Sequence, residues 1–93
     1  MNRFFDELGV RWAEAARSRG AEIEEPVLDT ETASELLELA RVAAHSQERR
    51  FAPLACYMAG VAAARLRQVE TEANLADYIK DVRRQLEEEA GIA

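Results

Sequence analysis

A proline in the middle of the chain, Pro53, separates two stretches of sequence with helical patterning. Proline suits the first turn of a helix, because it has no N–H group to leave unpaired and its φ angle is already helical. We therefore predict that one helix ends near His45 or Ser46 and that the next begins near Ala52. The polar residues of functional interest lie around this connection, within residues 38–60.

Apolar residues recur at three- and four-residue steps along most of the chain, which is the spacing of one face of a helix. Of the 93 residues, 48% are hydrophobic and 32% are charged, with abundant Ala, Leu, Glu and Arg. This composition favours helices. We predict an all-α fold, a compact four-helix bundle-like single domain over residues 1–93, because this length supports one core. The helices are expected at about residues 2–19, 30–46, 52–68 and 72–90.

The first predicted helix contains an apolar stripe and ends at a glycine. Phe5, Leu8 and Trp12 share the stripe, which we expect to face the core. Trp12 is accordingly interpreted as a core residue rather than a ligand-stacking group. Gly20 suits the position just after a helix. The polar segment that follows, residues 21–28, is expected to be the longest connection.

The third predicted helix carries two patterns. Leu54 and Met58 belong to an apolar face, whereas Cys56 and Gly60 belong to a line of small residues at every fourth position. We interpret the small residues as a place where helices pack closely inside the bundle. Cys56 is the single cysteine, so it cannot form an intrachain disulfide, and we expect a buried, unreactive thiol.

The boundary between the third and fourth helices is marked only by a change in the phase of the apolar residues. No glycine or proline lies there, yet the pattern shifts near residues 68–74, so we predict a break in that segment. The alternative is one long helix from Pro53 to Ala90. Such a helix would favour dimerisation.

Charged and titratable side chains cluster at the predicted connection between the second and third helices. The candidate binding residues are Arg41, His45, Glu48, Arg49 and Arg50. A helix N-terminus attracts anions, because its first N–H groups are unpaired and its dipole is positive there. One interpretation is therefore an anion-binding corner for a phosphate-bearing ligand or a partner carboxylate. The alternative is structural: His45 caps a helix end, and the arginines pair with Glu48 or with the acidic helices.

The sequence contains no recognisable catalytic constellation. It has one histidine and neither a glycine-rich phosphate loop nor a nucleophile motif, so we expect no enzyme activity from this chain alone. Glu38, His45 and Glu48 share a stripe with Arg41, whose positive charge argues against a metal site there. We expect neither a metal nor another cofactor. Residues 87–89, three consecutive glutamates, are expected to be a solvated acidic end.

Charge and hydropathy exclude two classes of partner. The net charge of −6 and the pI near 4.8 argue against nucleic-acid binding, which needs a basic face. No window approaches the ~20 apolar residues that span a bilayer, and acids stand where a signal peptide would be apolar. A single cysteine suits a reducing compartment. We expect a cytoplasmic protein with no membrane partner.

A motif runs through the middle third of the chain. Its residues are Ala40, Arg41, Ala44, His45, Glu48, Arg49, Ala52, Pro53 and Leu54, followed by Gly60, Ala62, Ala63 and Arg65. This motif resembles a small bacterial helical domain of unknown function that occurs alone or appended to molybdopterin guanylyltransferase-like proteins of molybdenum-cofactor biosynthesis. The chain departs from it at Val42, where that domain has an acid, and at Arg50, where it has a proline. The resemblance implies a link to molybdenum-cofactor maturation and no known reaction.

The sequence thus predicts a small non-catalytic binding or accessory module, linked to molybdenum-cofactor or nucleotide-cofactor handling. The alternative is a structural protein-interaction subunit, or a homodimerising helical domain, without a small-molecule ligand. In either case the expected partner is another protein or a second copy of the chain.

Overall fold

The computed structural model describes residues 2–91, which contain four α-helices. These are α1 (Arg3–Ser18), α2 (Thr30–Ser46), α3 (Phe51–Val69) and α4 (Leu75–Ala90). No strand occurs in the described range, so the predicted all-α, four-helix class is confirmed. Within that range no helix combines the length and apolar character that crossing a membrane requires.

The chain divides into two units, one ending at Thr30 and the other beginning at Glu31. The first contains α1, and the second contains α3, α4 and all of α2 after its first residue. The expectation that residues 1–93 form one domain stays a prediction.

In the first unit, α1 is capped at both ends by hydrogen bonds at the positions that the sequence predicts. The Oδ1 atom of Asn2 accepts from the N–H of Phe5 at 3.2 Å, which satisfies one donor of the first turn. After the helix, Gly20 adopts a φ of 83°, and the N–H of Ala21 reaches back to the carbonyl of Ala16 at 2.9 Å. Glycine adopts this left-handed backbone without steric cost, which explains why α1 ends here.

The prediction that Trp12 lies in the core is wrong, because Trp12 is 58% exposed. The buried residues of α1 are Gly9 and Ala13, and Phe5 on the same line is half-buried. The backbone after α1 crosses the helix at this line: a Cβ atom on Gly9 would lie 2.6 Å from the carbonyl oxygen of Pro26. The covered face is thus centred on the small residues, and Trp12 lies beside it.

In the second unit, buried apolar side chains come from all three helices. They are Ala33, Leu39, Val42 and Ala43 of α2, Ala63 of α3 and Ile79 of α4. Val42 has no exposed surface. A further contact joins α3 to α2, because the Sγ atom of Cys56 lies 3.6 Å from the carbonyl oxygen of Leu36. The core of this unit is therefore centred on α2.

α3 and α4 are separate helices joined by residues 70–74, at the position of the predicted break. The guanidinium of Arg67 donates from Nε and Nη2 to the carbonyl oxygen of Ala73, at 3.0 and 2.7 Å. The Oδ1 atom of Asn74 accepts from the N–H of Asp77 at 3.0 Å and caps α4. Because the connection is short, α3 and α4 are antiparallel neighbours.

The apolar residues of α3 are less covered than the sequence predicts. Leu54 is 61% exposed and Met58 is 70% exposed, although both were expected to face the core. Gly60 is also exposed, and a Cβ atom there would meet nothing within 4 Å. The line of small residues therefore does not mark close packing at Gly60, and α3 has an uncovered apolar side within the described residues.

Candidate functional site

The predicted binding residues lie at the end of α2 and in the short connection to α3. Arg41 and His45 are one turn apart on α2, and Glu48, Arg49 and Arg50 follow in the connection. A surface depression of about 450 Å³ is lined by Arg41, Ala44, His45 and Arg49. The structure thus brings three of the five predicted residues together, while Glu48 and Arg50 do not line the depression.

Arg50 and Glu48 pair with one another. The Nε atom of Arg50 donates to Oε2 of Glu48 at 3.1 Å, and both side chains are more than half exposed. Exposed ion pairs contribute little to stability, because water screens them and ordering two long side chains costs entropy. This contact matches the structural interpretation of the arginines, since it satisfies the charge of Arg50 locally.

Arg41 is held by two carboxylates. Its Nε atom donates to Oε2 of Glu38 at 3.0 Å, and its Nη2 atom donates to Oε2 of Glu87 at 3.2 Å. The second contact joins α2 to α4 across a part-buried position. Arg41 therefore lines the depression with a charge that is already largely neutralised.

The depression would hold an anion chiefly through Arg49 and His45. Within residues 2–91, neither side chain forms a hydrogen bond or ion pair with another side chain. The start of α3 adds little, because the N–H groups of Phe51 and Ala52 already donate to carbonyl oxygens in the preceding turn, at 2.9 and 3.2 Å. The next residue, Pro53, has no N–H group. The backbone contribution expected from a helix N-terminus is thus mostly absent.

A network of charged side chains between α2 and α4 was missed by the sequence reasoning. Arg83 of α4 donates from Nη2 to Oε2 of Glu35 on α2 at 2.9 Å, and from Nη1 to Oε1 of Glu87. The three side chains are only 10–18% exposed. Because nearly buried charges must neutralise one another, removing one member leaves the others uncompensated. This network is a structural tie between the two helices.

Hydrogen bonds set the protonation behaviour of the network. The hydrogen bond from Arg83 lowers the pKa of Glu87 below its usual value, and it outweighs the opposing effect of burial. Hydrogen bonds to Glu87 and then to Glu35 raise the pKa of Arg83. The prediction that Glu87 is a solvated acid is therefore wrong. The spacing of Ile79, Arg83 and Glu87 could have revealed that Glu87 is buried. The three residues lie four apart, so they share the buried side of α4.

The cysteine is a poor nucleophile in this setting. Cys56 is half-buried, and burial raises the pKa of its thiol above the usual value. A thiol that stays protonated at neutral pH reacts slowly, because the thiolate is the nucleophile. In the described part of the chain, no group of three or more His, Cys, Asp or Glu side chains is arranged to hold a metal ion.

The second surface feature is an apolar groove of about 280 Å³ between α3 and α4, here termed the α3–α4 groove. It is lined by Leu39, Ala55, Met58, Ala59, Ala62, Tyr78, Ile79, Val82 and Leu86. Leu39 and Ile79 are buried, whereas Met58 and Val82 at its edges are exposed. Every lining residue belongs to the second unit. The sequence reasoning missed the groove because it assigned the apolar face of α3 to the core.

The chain matches a known family of domains. A family model described as "Domain of unknown function (DUF6457)" matches residues 5–92. No curated protein and no solved structure matches the chain. The matched range includes every residue that lines the depression and the α3–α4 groove.

Proposed function

The chain belongs to this family of domains of unknown function, and on that premise we propose that it is a non-catalytic protein-interaction module. Its working surface is the α3–α4 groove, which packs against an apolar helical surface of a protein partner. The observation that supports this proposal is the exposure of α3. The helix with the most apolar sequence of the four leaves Leu54 and Met58 more than half exposed.

Burying the exposed apolar side chains of this groove against a partner is favourable relative to leaving them in water. Full burial of a Leu or Met side chain contributes about 1.5–3 kcal/mol relative to its exposed state. Binding energy at protein interfaces is concentrated in a few apolar anchors that fill pockets on the partner. The α3–α4 groove offers both an anchor and a pocket. Met58 at its edge is the exposed anchor, and the buried Leu39 and Ile79 form the floor of the pocket.

The experiment that tests this proposal uses Met58→Lys, with Tyr57→Lys as the matched control. Both residues are exposed on α3, at 70% and 73%, but only Met58 lines the groove. We expect both variants to keep the helical circular dichroism of the wild type. An amphipathic leucine–lysine peptide should shift the amide signals of Ala62 and Val82 in the wild type and in the Tyr57 variant, and not in the Met58 variant. Unfolding of the Met58 variant alone would show that Met58 belongs to the core and would contradict the proposal.

A second candidate function concerns the depression at the end of α2. We propose that Arg49 and His45, with Arg41 beside them, receive a phosphate-bearing ligand of molybdenum-cofactor or nucleotide-cofactor handling, while the neighbouring pair of Glu48 and Arg50 orders the connection. The unpaired side chains of Arg49 and His45 support this candidate, as does the resemblance of the central motif. A cytoplasmic location is part of the proposal, because a free thiol suits a reducing compartment.

Titration with a guanine nucleotide tests the second candidate. The ring signals of His45 should shift, added salt should weaken the effect, and Arg49→Ala should reduce affinity by about 1.5–3 kcal/mol, the range of a charge-assisted hydrogen bond. Arg50→Ala is the control, and it should change affinity much less because Arg50 pairs with Glu48. Unchanged His45 signals, together with a loss of stability in Arg49→Ala, would show that Arg49 has a structural role.

A further inference from the structure

We propose that the partner of the α3–α4 groove is a second copy of this chain, an inference that rests on the proposed interaction function of the groove. The two α3–α4 hairpins pack face to face about a two-fold axis that runs parallel to the helices. In this arrangement α3 of one copy lies along α4 of the other. The interface is isologous, so each copy presents the same surface and the assembly closes as a dimer.

The two edges of the groove carry opposite charges. On α3, Arg65 lies two turns after Met58 on the same stripe, and α3 contains no acid. On the solvent edge of α4, Asp81 and Glu89 lie beside the groove residues Val82 and Leu86, and both acids are exposed. A surface with one basic edge and one acidic edge is complementary to itself after a two-fold rotation.

Arg65 and Asp81 are available for pairing between copies. Among residues 2–91, neither side chain has a hydrogen-bonding or ionic partner in its own chain, and both are exposed. These two charges therefore lie beside the two edges of the α3–α4 groove, whose apolar lining comes from both helices.

The register of the hairpin brings these charges together. Arg65 lies four residues before the end of α3, and Asp81 lies six residues after the start of α4. At 1.5 Å per residue, these positions are roughly 6 Å and 9 Å from the connection. A two-fold axis parallel to the helices preserves these heights, so Arg65 of each copy lies opposite Asp81 of the other. If α3 packed against α3 of the other copy, Arg65 would have no acidic partner, because α3 contains no Asp or Glu.

The groove and the exposed methionine supply the apolar contact. In the proposed dimer, Met58 of each copy packs into the groove of the other, against the exposed Val82 and Leu86. Methionine is flexible and polarizable, so it fills irregular apolar gaps well. Four helices, two from each copy, then enclose the apolar side chains that a single copy leaves exposed.

Light scattering coupled to size exclusion gives the first test. The wild type should rise from the 10.4 kDa mass of the chain in dilute solution to twice that mass in concentrated solution. Met58→Lys should return the mass to 10.4 kDa, whereas Tyr57→Lys should remain dimeric, since Tyr57 does not line the groove. A wild type that stays at the mass of one chain up to millimolar concentration overturns the second-copy proposal. So does a dimer that Tyr57→Lys dissociates and Met58→Lys leaves intact.

Charge reversal gives the second test and replaces no apolar side chain. Arg65→Glu and Asp81→Arg should each weaken the dimer by about tenfold, because each creates two symmetry-related pairs of like charges between positions 65 and 81. An equimolar mixture of the two single variants should recover dimerisation, since a heterodimer of them restores both opposite-charge pairs. Equal weakening in the mixture overturns the arrangement.

The two proposals fail in different ways. A monomeric wild type whose groove amides still shift with the amphipathic peptide overturns the second copy and leaves the interaction function standing. Unfolding of Met58→Lys, with Tyr57→Lys intact, overturns both.

Discussion

α3 and α4 differ in a way that composition does not anticipate. α4 is rich in charged residues, yet it buries Glu87 and ties itself to α2 through Arg83. α3 is rich in apolar residues, yet only Ala63 is buried and Leu54 and Met58 face outward. Charges can enter a protein interior when they neutralise one another through hydrogen bonds, whereas an apolar face needs a surface to pack against. The exposed helix is thus interpreted as an interface, and the charged helix as part of the scaffold.

Two leucines differ most clearly in how far they are covered. Leu39 of α2 is 5% exposed and Leu54 of α3 is 61% exposed. Leu39→Ala should lower the free energy of unfolding by about 2–5 kcal/mol, because it removes a buried side chain and leaves a cavity. Leu54→Ala should cost under about 1 kcal/mol. Both are measured by urea denaturation in the Met58→Lys background, so that association does not contribute. Equal losses would place Leu54 in the core and remove the contrast.

The ion pairs of Arg83 on α4 lead us to expect the next largest effect on stability. Arg83→Gln should destabilise the chain clearly, because it leaves Glu35 and Glu87 nearly buried without their main partner. Arg3→Gln is the control, since Arg3 and Glu7 form an exposed pair worth about 0.3–0.5 kcal/mol. Thermal melts of the two variants compare them directly. A melting temperature for Arg83→Gln that matches the control would show that the network contributes no stability.

Two glycines sharpen the distinction between covered and open helix surfaces. Gly9→Ala on α1 should cost about 1–3 kcal/mol, because the new methyl group would meet the carbonyl oxygen of Pro26 at 2.6 Å. Gly60→Ala on α3 should stabilise the chain by about 0.5–1 kcal/mol, since nothing lies within 4 Å and alanine favours helix. Denaturant unfolding measures both changes. Destabilisation by Gly60→Ala would mean that a backbone does pack against α3.

The smallest expected effect is a pH dependence from Glu87. Its pKa is lower in the folded chain than in the unfolded chain, so the folded state favours the ionised form. The resulting stabilisation is complete above the ordinary glutamate pKa of about 4.3 and is lost as the pH falls through the lower, folded-state value. Glu87→Gln should flatten this acid limb of the stability curve, whereas Glu88→Gln, at an exposed position, should leave it unchanged. An identical acid limb in both variants would contradict the account.

The sequence predicted where the helices lie along the chain better than it predicted which side of each helix is buried. The helix number, the helix start near Pro53 and the ending at Gly20 follow from local rules of backbone geometry, which act within a few residues. The position of Trp12 did not follow, because the covered line of α1 depends on where Pro26 crosses it. The spacing of apolar residues along one helix does not show where another segment of the chain will contact it.

The candidate site was predicted only in part. His45 and Arg49 line one depression with Arg41, as expected for residues grouped around one helix connection. The pairing of Arg41 with Glu87 was not predictable from spacing, because it joins residues 46 positions apart. The α3–α4 groove was missed for a related reason: an apolar stripe looks the same in the sequence whether it packs within the chain or against a partner.

The most direct test of the interface interpretation is the solvent accessibility of Met58 as a function of chain concentration. The methyl signal of Met58 is followed by NMR in the presence of a neutral, soluble paramagnetic agent, with Met58→Leu used to assign it. In dilute solution the signal should be broadened strongly, because Met58 is 70% exposed in a single chain, and in concentrated solution it should be protected by the second copy. Protection that is equally strong at every concentration would show that Met58 is covered within its own chain and would contradict the account.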